Sequence, residues 1–133
     1  LITGTVGCFG GMSIAAGLCS YLVVTKEARL GLNGPQVIEQ EAGITEYDSK
    51  DKPFIWSMTG GEIRYETGFA DELAVDDVDA VRTAIAKCFA QGSPESFRTD
   101  RVGFYLPRLA GFDASQQVFP EITKALFSQG DRK

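Results

Sequence analysis

Residues 7–17, Gly-Cys-Phe-Gly-Gly-Met-Ser-Ile-Ala-Ala-Gly, decide how this chain is read. Two adjacent glycines, Gly10 and Gly11, stand at the mouth of a run that is apolar on nearly every side, with Met12, Ile14, Ala15, Ala16 and Leu18. Such a helix belongs in a core. Upstream, residues 1–6 read as a strand. Downstream, residues 20–24 form a β-branched run without polar alternation, as expected of a strand covered on both faces. Strand, glycine turn, apolar helix and strand together point to an α/β fold.

Working outward, 133 residues suit one domain, and 44% hydrophobic with 23% charged content is ordinary for a globular chain. The first residue, Leu1, already lies inside an apolar run, so part of a larger domain is expected. Thirteen basic against eighteen acidic residues give a net charge of −5, with the basic side chains scattered, so no nucleic-acid partner is expected. Residues 1–24 carry no charge, which by length would suit a membrane span. Gly4, Gly7, Gly10, Gly11 and Gly17, with Thr3, Thr5, Ser13 and Ser20, break that run into separate elements, so a buried core and no membrane are expected. Cys8, Cys19 and Cys88 have no C-x-x-C spacing and signal neither a disulfide framework nor a metal site; a reducing cytoplasm fits. With no histidine in the chain, imidazole chemistry is excluded from its own side chains. Backbone, carboxylates, hydroxyls or a partner must supply whatever chemistry occurs.

Further along, residues 29–32 suit a short strand, and Asn33-Gly34-Pro35 a turn into a helix that closes near Gly43. Residues 53–59 read as a helix interrupted at Gly60-Gly61 and resumed over 62–66. Residues 70–75 read as a strand. The clearest helix covers 76–91, capped by Asp76 or Asp77, striped by Val78, Val81, Ile85, Cys88 and Phe89, and ended by Gly92. Residues 93–133 form a C-terminal appendage that finishes in an amphipathic stretch over 120–128 and packs on the core or on a partner.

The glycine pair matches no nucleotide-binding fingerprint, phosphate loop or G-x-S-x-G elbow. Two readings remain open. At a helix N-terminus the first amides lack intrahelical acceptors and the helix dipole adds partial positive charge, so an anionic oxygen is stabilised there, and glycine lets a ligand come close. Alternatively, Gly10 and Gly11 only permit tight strand–helix packing.

The order of residues 2–35, with its glycine pair, apolar helix, strand and Gly34-Pro35 turn, resembles the crotonase superfamily. Gly34-Pro-Gln-Val-Ile-Glu-Gln40 is similar to a segment of that superfamily's carboxyltransferase branch. Residues 31–43 followed by 56–62 (Trp-Ser-Met-Thr-Gly-Gly-Glu) most resemble the β subunits of biotin-independent malonate decarboxylases. The resemblance covers residues 1–90 and fades after Gly92. It implies a crotonase/ClpP-like spiral of ββα units, of which 1–92 is the C-terminal part of a domain and 93–133 the helical appendage.

What the resemblance implies about chemistry is decarboxylation of a malonyl thioester on an acyl carrier protein, whose arm is a modified dephospho-CoA, with no covalently bound cofactor. Gly10 and Gly11 would be backbone donors to the thioester oxygen as it becomes an enolate, the other donor coming from an N-terminal half of the subunit absent from this chain. Ser13, Tyr21 or a partner group would return the proton. Phe9, Gly34, Pro35, Gly60 and Gly61 are candidates for the substrate-binding surface, and Lys26, Arg29 and Arg64 for the arm's phosphates. A homologous γ subunit is the expected partner. The alternatives are a carboxyltransferase subunit of a biotin-dependent acyl-CoA carboxylase and a non-catalytic assembly subunit.

Overall fold

Two short parallel strand pairs carry the fold of this computed structural model, which describes residues 1–127. Strand β1 (Gly7–Cys8) pairs with β3 (Arg29–Leu30), Gly7 facing Arg29, and β2 (Val23–Thr25) pairs with β4 (Glu72–Ala74), Val24 facing Leu73. The helices are α1 (Gly11–Gly17), α2 (Pro35–Ala42), α3 (Lys52–Thr59), α4 (Gly61–Glu66), α5 (Val78–Gln91), α6 (Val102–Leu109) and α7 (Pro120–Phe127). The class is α/β, as the alternation of patterns predicts.

Strand β2 is the hub. Side chains alternate across a strand, so Leu22 and Val24 enter one buried cluster with Ile2, Cys8, Ala28 and Ala70, while Val23 enters another with Ala74, Ala84 and Cys88. This is why residues 20–24 lack polar alternation: both faces are covered. Helix α5 covers the second face. Its buried residues are Ala84 and Cys88, whereas Val78 is 72% and Phe89 82% exposed. The contact face is therefore rotated from the predicted stripe, because small residues let the helix approach the sheet closely.

Two further expectations are corrected. Of residues 1–6, only Ile2 bridges to β2, with its N–H donating to the Val23 carbonyl at 2.9 Å and its carbonyl accepting from Thr25 at 3.1 Å, while the Val6 carbonyl accepts from Arg29 at the edge of β1. Helix α1 has no buried residue and reaches the core only through Ala16, so its apolar surface, Met12, Ile14 and Leu18, is exposed. Apolar composition records that a surface is suited to burial; it does not say which partner covers it.

The C-terminal segment packs on the core. Phe69 stacks on Tyr105 at 5.4 Å and meets Phe127 at 5.2 Å, Phe112 lies 6.1 Å from Phe127, and Lys124 pairs with Glu66 at 2.8 Å. The stretch expected over 120–128 is α7; residue 128 lies outside the described residues.

Candidate active site

The β1–β3 ladder runs past the end of β1 and into the glycine pair. Arg29 N–H donates to the Val6 carbonyl at 2.9 Å, Gly31 N–H to Cys8 at 3.2 Å, and Gly10 N–H to Leu32 at 2.6 Å. Gly10 is thus the last rung, and its amide is not available to a ligand, which corrects the expectation that both glycines donate. Its φ of 65° and ψ of −144° lie where side-chain-bearing residues are strained, so glycine is required there by conformation. Gly11 opens α1, and its amide has no backbone acceptor among the described residues. Neither Gly10 nor Gly11 has any neighbour within 4 Å of where a Cβ would stand. The pair is open rather than packed.

Ser13 turns back on the same corner. Its N–H donates to the Gly10 carbonyl at 3.0 Å and its hydroxyl donates to the same oxygen at 2.6 Å. The hydroxyl hydrogen is thereby engaged, so Ser13 shapes the corner more directly than it could deliver a proton. Tyr21 follows the C-terminal end of α1, about 10 Å along the helix axis from Gly11, and lines a cavity of about 570 Å³ with Leu1, Val23, Ile85, Cys88 and Phe89. Neither Gly10 nor Gly11 lines that cavity.

The Leu32–Gly10 bond brings the loop that starts α2 against the start of α1. Gly34 caps α2, its carbonyl accepting from Val37 and Ile38, and Pro35 occupies the first turn, where no N–H is needed. Phe9 folds its ring over Gly7 and Gly31, with the Arg29 guanidinium 5.8 Å from its centre.

Gly60 and Gly61 are not a ligand surface. A Cβ on Gly61 would stand 1.9 Å from the Thr25 carbonyl oxygen, and one on Gly60 would stand 2.4 Å from that of Trp56. Both are glycine because α3 and α4 close on the backbone of β2 and on each other. Nor do the three basic residues form a phosphate patch. Lys26 pairs with Glu62 at 3.2 Å, Arg29 lies 4.5 Å over the Trp56 ring and donates to the Thr5 carbonyl, and Arg64 donates to Leu30 at 2.7 Å. Glu39 accepts from the Ser49 N–H at 2.6 Å, which closes the loop after α2, and hydrogen bonding from the Ser49 side chain and N–H holds its pKa below the usual carboxylate value.

Sequence reasoning missed Arg98, just before α6. Its Nε donates to the Cys19 carbonyl at 3.3 Å, one Nη to Phe69 at 2.7 Å, and the other to Asp71. Asp71 also accepts from the Leu22 N–H at 2.7 Å. All its protein acceptors are distant in sequence, so no local pattern marks it. Among the described residues no cluster of acidic or cysteine side chains could hold a metal ion, and no helix is long and apolar enough to cross a membrane.

No family model matches the chain. Over 103 residues it is 36% identical to the malonyl-S-ACP:biotin-protein carboxyltransferase of Malonomonas rubra, covering 77% of this chain and 32% of that protein. A chain of a Pseudomonas malonate decarboxylase hetero-tetramer, solved in complex with malonate, is 60% identical, with a TM-score of 0.89 over 95% of this chain and 46% of that one. A chain of the Pseudomonas MdcD-MdcE hetero-dimer is 59% identical, with a TM-score of 0.69 over 82% of this chain and 43% of that one. Transcarboxylase 12S, at 28% identity, gives 0.50 over 65% and 16%. The chain spans less than half the length of each of these relatives.

Proposed function

This chain is homologous to malonate decarboxylase subunits, and from that premise we propose that it forms part of the carbon–carbon-cleaving subunit of a malonyl-thioester decarboxylase. Its fold belongs to a crotonase-like spiral of ββα units, and the Gly11 amide is its contribution to catalysis. When the bond between the carboxylate and the α-carbon of a malonyl thioester breaks, its electron pair stays with the α-carbon and spreads onto the thioester oxygen, and CO2 departs. A hydrogen bond aimed at that oxygen stabilises the enolate more than the ground-state carbonyl, which lowers the barrier. Protonation of the α-carbon then gives the acetyl thioester. The observation that carries this reading is the open approach to Gly11: Gly10 spends its own amide on Leu32, the Gly11 amide has no backbone acceptor among the described residues, and nothing lies within 4 Å of where a Gly11 Cβ would stand.

The rest of the assembly belongs to the same proposal. A second donor comes from the part of the family's subunit that this chain does not contain. The proton comes from water or from a homologous γ subunit, and the substrate arrives on an acyl carrier protein with a dephospho-CoA-type arm, in the cytoplasm. The engaged state of Lys26, Arg29 and Arg64 favours placing the docking charge on a partner, since a chain of net charge −5 is poorly suited to attract an acidic carrier.

Gly11→Pro tests the site. As the first residue of α1, Gly11 occupies the position where proline is best tolerated, so the substitution deletes the donor with little cost to the helix. In the full-length subunit within its complex, turnover of malonyl thioester is expected to fall about 10²- to 10³-fold with assembly intact. Turnover within twofold of wild type would refute the assignment. The Malonomonas relative favours a second reading, in which the same enolate site serves carboxyl transfer to biotin. Avidin inhibition of the intact complex would support transfer, and insensitivity direct decarboxylation.

A further inference from the structure

We propose that Arg98 is a positioning residue for α1, holding the C-terminal end of the helix whose first amide is offered to the substrate. The inference rests on the function proposed above and adds a residue that neither the sequence motifs nor the glycine corner contains. Helix α1 has seven residues and none is buried, so the packing that normally stabilises a short helix is largely missing. Its front is fixed by the Gly10–Leu32 bond. At its rear, Arg98 donates to the Cys19 carbonyl, two residues beyond the end of the helix.

The Arg98 side chain is itself firmly held, only 11% exposed, with Phe69 and Asp71 as its other acceptors. Asp71 in turn accepts from Leu22, so one carboxylate ties the segment between α1 and β2 to the start of β4. Arginine's planar fork is what allows three separate acceptors to be met at once. An amide stabilises an enolate only when it is aimed within a few tenths of an ångström, and a displacement of about 1 Å can cost on the order of 10²-fold in rate. A loose rear end therefore matters at the front.

The test compares Arg98→Ala, Arg98→Lys and Gly11→Pro in the full-length subunit of the assembled decarboxylase. Steady-state kinetics on malonyl thioester and hydrogen exchange of residues 11–19 are the readouts. Arg98→Ala is expected to lower kcat about 10- to 100-fold with KM within about twofold. Exchange in α1 should accelerate while that in α5 is unchanged. Arg98→Lys, which keeps the charge but not the fork, should recover part of kcat; if the alanine variant does not assemble, the lysine variant carries the same readouts, with kcat several-fold below wild type. Unchanged kcat, or exchange rising equally in α1 and α5, overturns the proposal and leaves Arg98 a general staple. If Gly11→Pro loses turnover while Arg98→Ala does not, only the Arg98 inference falls. If Gly11→Pro retains turnover, the site reading falls and this inference with it.

Discussion

Gly11 and Gly61 each open a helix, and the structure asks opposite things of them. A Cβ at Gly61 would lie 1.9 Å from the Thr25 carbonyl oxygen, so Gly61→Ala must push α4 away from β2. It is expected to cost about 3 kcal/mol or more, read from the urea midpoint. Gly11→Ala meets nothing within 4 Å and should be neutral or stabilising by up to ~1 kcal/mol in the same measurement. Tyr47 poses a different residue-scale question. Its buried hydroxyl finds no hydrogen-bond partner among the described residues, and burial raises its pKa, an effect that nearby Arg64 partly offsets. Because the folded state favours the neutral phenol, its contribution to stability is complete below the unfolded value of about 10 and is lost as pH rises through the raised folded value. Tyr47→Phe should therefore flatten the loss of stability above about pH 10 and cost nothing at neutral pH. A steeper alkaline loss in the variant would contradict this.

At the scale of elements, what sequence shows well is what chemistry writes locally. Pro35 at the start of α2, Asp51 accepting from Phe54 ahead of α3, and Asp77 accepting from Asp79 and Ala80 ahead of α5 are all local signals. Asp77→Ala should accordingly cost about 1 kcal/mol in thermal or chemical denaturation; a loss below a few tenths would mean that the neighbouring Asp76 substitutes. Helix α6 escaped detection because Gly103 and Pro107 lie inside it, residues that argue against a helix unless tertiary contacts override them. Here the tertiary contact is the Tyr105 ring on Phe69, and within the helix the Arg108 guanidinium lies 3.7 Å over Phe104. The glycine corner was legible as a helix mouth. Which of its amides remains available was not, since that depends on Leu32, twenty-two positions away in sequence, accepting from Gly10. Arg98 was hidden for the same reason.

For the molecule as a whole, the placement of its aromatic residues changes what a partner would be expected to disturb. Trp56, the only tryptophan, is the natural reporter of subunit docking. In the structure its indole N–H donates to the Glu27 carbonyl at 2.9 Å, and the Arg29 guanidinium lies 4.5 Å over its ring. Phe104, Tyr105 and Phe112 are likewise drawn into ring contacts within the chain. The apolar side chains left to water are spread over several elements, with Met12 on α1 70%, Phe89 on α5 82% and Leu106 on α6 60% exposed. Exposed apolar surface of this kind drives association when nothing specific covers it. The 133-residue chain on its own is therefore expected to self-associate, and Phe89→Glu to shift it towards monomer in size-exclusion chromatography with light scattering. Trp56 emission should be the same in both, and should move only on unfolding, because its surroundings are supplied by α3, β3 and the β2–β3 turn rather than by a neighbour. A blue shift of Trp56 on adding a partner subunit, with the monomer already folded, would show that the indole is less completely enclosed by its own chain than these contacts require.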